Sequence, residues 1–168
     1  MTGRARTSAI ALVLAVLAGL AAGAGLLWHR EQAKADKAER LERALVDATA
    51  AAAKDIPLFA NFSVDTLDAD QARGKTVLTP DFAKQYDQLF GALIATARQR
   101  KATVTEEVRD AQPVDVTPDG AEVTVLAFFE QTAKFGDGAP DKFQPLQYEL
   151  TMKRVGATWL VDAIAVVQ

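Results

Sequence analysis

Cysteine is absent from this sequence of 168 residues. Disulfides, thiolate nucleophiles and cysteine-based metal sites are therefore excluded, and the redox compartment stays open. Histidine occurs once, at His29, directly after a long apolar run. A multi-histidine metal centre and a histidine-dependent triad fall with it. A positive balance is also lacking, since 19 Lys and Arg stand against 22 Asp and Glu. With Arg4 and Arg6 of the leader set aside, the imbalance over residues 8–168 deepens, so the chain carries no electrostatic footprint for nucleic acid. The remaining material suffices for one domain with a real core.

One stretch lacks charge entirely. Ser8 to Trp28 runs for about 20 residues without an ionisable side chain, enough for a helix to cross a hydrocarbon layer of ~30 Å. The expected organisation is a basic leader at 1–7, a transmembrane helix at 8–28, a juxtamembrane helix at 29–56 and a folded domain at 57–168. Trp28 and Arg30 stand where a membrane interface places an aromatic ring and a cation. Ala22-Gly23-Ala24 also has the small-residue form of a signal-peptidase site, but the apolar run continues past it to Trp28, which favours a retained anchor. Within the run, Ala15, Gly19 and Gly23 recur every four residues, the spacing that lets two helix backbones approach. Oligomers formed through the anchor, with like or unlike chains, are thus expected alongside contact with the lipid bilayer. Flanking charge leaves the orientation open, because basic residues lie on both sides of the run.

Beyond Trp28 the helical habit persists. Asp36–Arg40 and Glu39–Arg43 have the acid-before-base spacing of an exposed helix, and Leu41, Leu45, Ala48, Ala52 and Ile56 form an apolar stripe that Pro57 is expected to end. Asp68-Ala-Asp-Gln71 reads as a capping box opening a short helix closed by Gly74. Thr79-Pro80-Asp81 opens a longer one, with Phe82, Tyr86, Leu89, Phe90, Leu93, Ile94 and Ala97 on one face and Arg98, Arg100 and Lys101 at its end. The apolar period then changes to two. Strands are expected around Val104–Val108, with Pro113 at a bulge or edge, and over Val123–Phe129, Leu146–Met152 and Thr158–Ile164, with turns at Thr117–Gly120, Phe135–Lys142 and Gly156-Ala157. Helices first and consecutive antiparallel strands after them give an α+β class, a cone of helices packed on a curved sheet.

No catalytic signature emerges, and no catalytic, cofactor-binding or metal-binding residue is assigned. Gly74-Lys75-Thr76 resembles the end of a phosphate loop, but Ala69 stands where the first glycine belongs. Glu106 and Glu107 are neighbours on a strand and face opposite sides, so they cannot act as a carboxylate pair. Asp65, Asp68 and Asp70 read as helix-entry acids before they read as a cation site. Phe128, Phe129, Tyr148 and Trp159 could line an apolar cavity, with a packed core as the simpler use. For an enzyme of the ketosteroid-isomerase or SnoaL type, Asp65, Glu130 and Tyr148 are the available acid, base and phenol, and nothing in their spacing orients them toward one another.

The order of the basic leader, the anchor, the charged helix, "TLDAD…LTPDFAKQYDQL", "FFEQT" and "WLVDAI" resembles the Mce-associated membrane proteins of actinobacteria. That resemblance implies a nuclear-transport-factor-like, SnoaL-like domain held outside the cell membrane by a single span. It further implies a non-enzymatic accessory role beside Mce lipid importers, with Mce complex subunits as partners, no cofactor and no catalytic residues. The alternative kept open is a bitopic scaffold subunit of a type IV secretion or conjugation machine, which shares the anchor-plus-cone plan.

Overall fold

The computed structural model describes the backbone from Gly3 to Val167 and side chains from Glu31 to Val167. Among residues with described side chains, no helix is long and apolar enough to cross a membrane. The Ser8–Trp28 run, and with it Ala15, Gly19, Gly23, Trp28 and Arg30, lies outside them. By its contacts the chain divides into Met1–Arg40 and Leu41–Gln168. The second unit therefore takes in more than half of the stretch read from sequence as juxtamembrane, from Leu41 on.

The elements run α1 (Gly3–Ala60), β1 (Phe62–Ser63), α2 (Leu67–Lys75), α3 (Pro80–Arg100), β2 (Ala102–Val116), β3 (Glu122–Phe135), β4 (Lys142–Val155) and β5 (Thr158–Val167). The five strands form one antiparallel meander in chain order. This is the expected α+β class. Register shifts at Val108/Asp110 and Pro113/Asp115 in β2, and at Thr151/Met152 between β4 and β5, mark bulges of the kind that bend strands and sharpen twist.

The core forms where the two periodicities meet. From β3, Val123, Val125, Ala127 and Phe129 alternate inward, and the first three share one buried cluster with Leu150, Met152, Trp159 and Val161 of β4 and β5. The helices contribute Ala44, Ala48, Ala52, Ile56 and Phe59 from α1 and Phe82, Tyr86, Phe90 and Ala97 from α3. Burial of each large apolar side chain contributes about 1.5–3 kcal/mol. Gly120, at φ +72, closes the β2–β3 turn, and a Cβ there would meet Leu41 Cδ2 at 3.3 Å.

Several expectations are corrected. Pro57 does not end α1, which continues to Ala60 with the proline inside its last turn. Other elements satisfy the carbonyls at and just past this helix end. Tyr86 Oη donates to Phe59 O at 2.9 Å, Arg73 Nε to Leu58 O at 3.3 Å, and another Arg73 nitrogen to Asn61 O at 2.9 Å. Gly74 does not close α2 either, because it lies within the helix, where a Cβ would sit 2.7 Å from Tyr86 Oη. The α2 cap is Thr66, two residues ahead of the expected box, and its hydroxyl donates to Asp70 Oδ2 instead of accepting a backbone amide. On α3, Thr79 accepts from Phe82 N as expected, but Leu89 and Leu93 are 61% and 51% exposed and leave the core stripe to their neighbours.

Candidate functional site

Three strands bring polar side chains together inside the domain. Glu106 on β2 is only 5% exposed, although the neighbouring residues Thr105 and Glu107 face solvent. Its Oε1 accepts two hydrogen bonds, from Gln131 Nε2 on β3 at 2.8 Å and from Tyr148 Oη on β4 at 3.0 Å. Gln144 Nε2 extends the chain by donating to Gln131 Oε1 at 3.1 Å. Glu106 Oε2 is buried without a partner among the described residues. Burial pushes the carboxyl above its ordinary range, and the bonds from Gln131 and Tyr148 only partly oppose that. Burial likewise raises the Tyr148 phenol, and the neighbouring Glu106 carboxylate adds to the effect. Tyr148 also stacks on Phe129 with ring centroids 4.2 Å apart. The network ties β2, β3 and β4 together and holds one acid in a form that favours its neutral state.

Two further buried carboxyls have different fates. Asp70 is 5% exposed. Its own burial would raise it, but the Ser63 amide, the Thr66 hydroxyl and the Arg73 guanidinium together hold it below the usual carboxylate range. Asp70 thereby fastens the β1 corner to α2. Asp55 on α1 is 6% exposed, and burial pushes it up to about 6 against a small opposing pull from Lys54.

The surface offers shallow grooves. One of about 630 Å³ lies between Leu45, Val46, Thr49, Ala50 and Ala53 of α1 and Val108, Ala111 and Pro113 of β2. Another of about 280 Å³ lies under α3, between Leu93, Arg100, Val104, Gln131 and Gln144. Glu106 and Tyr148 line neither of them.

The residues singled out from sequence are dispersed. Phe129 and Tyr148 pack together beside Glu106, whereas Phe128 points to the opposite face of β3. Trp159 is buried at the other end of the sheet, opposite Arg154. Phe143 is 73% exposed. Of the acid, base and phenol set, Glu130 pairs with Arg109 at 2.6 Å on the surface and Asp65 is exposed. Tyr148 is bonded to Glu106, an acid whose sequence neighbour Glu107 faces the other side of the strand and so offers it no partner. The signal that could have found it was a lone acid at an inward-facing strand position opposite Gln131. Among the described residues no group of three or more acids and histidines could hold a metal ion.

No family model matches the chain. Two proteins of Mycobacterium tuberculosis are similar to it at 29% identity. Uncharacterized protein Rv1362c aligns over 89% of this chain and 67% of its own length, and Outer membrane protein Rv1973 over 94% of each. Among solved structures, CagV of Helicobacter pylori, a VirB8 homolog of a type IV secretion system, superimposes with a TM-score of 0.57 at 13% identity. It covers 72% of this chain and 96% of its own. A periplasmic fragment of TraM gives a TM-score of 0.58 at 14% identity over 71% and 94%. The fold is shared with these domains. The accessory role beside Mce lipid importers expected from the sequence resemblance is overturned by this match, since CagV, which shares the fold, is a component of a type IV secretion system.

Proposed function

We propose that this chain is a non-catalytic scaffold subunit of a cell-envelope machine, built on the plan of the VirB8-type subunits of type IV secretion and conjugation systems. The observation that carries the reading is the extent of the fold match, which takes in 96% of CagV and 94% of the TraM fragment. Residues that such a fold could turn to catalysis are here used otherwise. Glu130 is in a surface ion pair, and Tyr148 is spent on a buried acid that lines neither of the two grooves described above. The uncharged Ser8–Trp28 run supplies a single anchor, and the outer-membrane name of one relative agrees with a place in the envelope. The folded part then works by presenting surfaces to partners, with the anchor restricting where it does so.

The test is affinity purification of the tagged full chain from detergent-solubilised native membranes, with co-purifying proteins identified by mass spectrometry. Secretion or conjugation channel subunits are expected. Recovery with lipid-transport permeases alone, or recovery of the chain from the soluble fraction, would refute the proposal.

A further inference from the structure

The two long edges of the sheet are treated very differently. The β2 edge is blunted along its length. Beyond the two residues that β1 covers, Asn61 Oδ1 takes the Glu106 amide at 2.6 Å, and Asp110 and Asp115 take the amides of Ala111 and Val116 at 2.9 and 2.8 Å. Pro113 has no amide to offer, and two bulges break the register. These are the devices that stop a sheet edge from recruiting another strand.

The β5 edge has few of them. Its first part is covered, since Thr79 N donates to Val161 O and Val161 N to Val77 O, each at 2.9 Å. Past Asp162, among the described residues, no strand or backbone hydrogen bond covers Ala163-Ile-Ala-Val-Val167 on its outer side. This segment has no charge, no proline and strong β-forming residues, and Val166 is 60% exposed. We propose that Ala163–Val167 is a strand-addition interface, and that its occupant is the same segment of a second copy, paired antiparallel about a two-fold axis to join two sheets into one.

Charge and symmetry on the segment select that occupant. An antiparallel self-pair is isologous, and centring it on Ala165 sets Ala163 against Val167 with no like charges opposed. Five residue pairs bury far less than the roughly 1,000 Å² expected of a stable free dimer, so the contact acts between copies already concentrated on one membrane. The inference rests on the membrane anchoring proposed above but not on which machine the chain serves, so the partners recovered in the pull-down and the crosslinks measured below can fail separately.

The cysteine-free sequence makes the test clean. Single cysteines at positions 163 to 167, and Asp115→Cys on the blunted edge as control, are placed in the full chain carrying Gly19→Ile and Gly23→Ile, which removes pairing through the anchor. Each purified chain is reconstituted in phosphatidylcholine liposomes and oxidised, and the disulfide dimer is quantified. Strong crosslinking within 163–167, peaking at one position and falling on either side, is expected. Adding Ala163→Lys, or Ala165→Lys where position 165 is free, should reduce it roughly tenfold at an unchanged melting temperature. Crosslinking no better than that of the Asp115→Cys control, or insensitive to the lysines, would overturn the proposal.

Discussion

Asp55 offers a measurement whose size follows directly from its surroundings. The carboxyl is 6% exposed on α1, with no hydrogen bond among the described residues, and burial raises its pKa from 3.8 to about 6. A folded-state value above the unfolded one means the charged form is the one the fold disfavours. The group imposes no penalty below about 3.8, a growing one as pH rises toward 6, and the full one above that. A shift of this width corresponds to about 3 kcal/mol. Asp55→Asn removes the charge and keeps the volume. At pH 8 the variant should be more stable by up to about 3 kcal/mol, less whatever burying the amide costs, and at pH 4 the two proteins should be nearly equal. For a unit of this size each kcal/mol is worth roughly 3–5 °C, so a gain of about 10 °C at pH 8 is within easy reach of thermal circular dichroism. The full chain in detergent would be melted at pH 4, 6 and 8. An equal difference at all three pH values, or a less stable variant at pH 8, would refute the burial argument.

Three further outcomes are expected. Gly74→Ala should cost about 1–3 kcal/mol despite the better helix former, because the new methyl meets Tyr86 Oη at 2.7 Å and Phe59 Cα at 3.1 Å; Gly91→Ala, with nothing within 4 Å, should instead stabilise by about 0.5–1 kcal/mol, and paired denaturant titrations would show the opposite signs. Thr79→Ala removes both the cap on Phe82 N and the 2.7 Å bond to Asp162 Oδ1, at a cost of about 1–2 kcal/mol that Thr79→Ser should largely recover in the same titrations. Glu106→Gln should abolish a loss of stability that the parent shows as pH rises above 4.5, since the raised carboxyl is favourable only while protonated; Tyr148→Phe, melted alongside it, should cost about 1–3 kcal/mol through the donor lost from Glu106 Oε1.

Local chemistry was enough to read much of this chain. Thr79-Pro80-Asp81 announces α3, since a hydroxyl cap, a proline that has no amide to lose and an acid at the positive end act within four residues. The alternation through Val123, Val125, Ala127 and Phe129 likewise specifies an inward face whatever lies opposite, and Pro113 marks its bulge because it cannot donate to a ladder. Where a residue's meaning depended on something distant in sequence, reading stopped. Pro57 lies in a last turn whose Leu58 and Phe59 carbonyls are taken by Arg73 and Tyr86 from other helices, and Gly74 is small for the sake of that same tyrosine. Glu106 looks like a solvated acid until Gln131 and Tyr148 arrive from two other strands. The contrast between the β2 and β5 edges is equally invisible in either segment alone, because an edge exists only once the strand order is set. Periodicity and capping are short-range and survive in the linear chain. Satisfaction of buried polar groups and exposure of a strand edge are properties of neighbours, and only the tertiary structure chooses the neighbours.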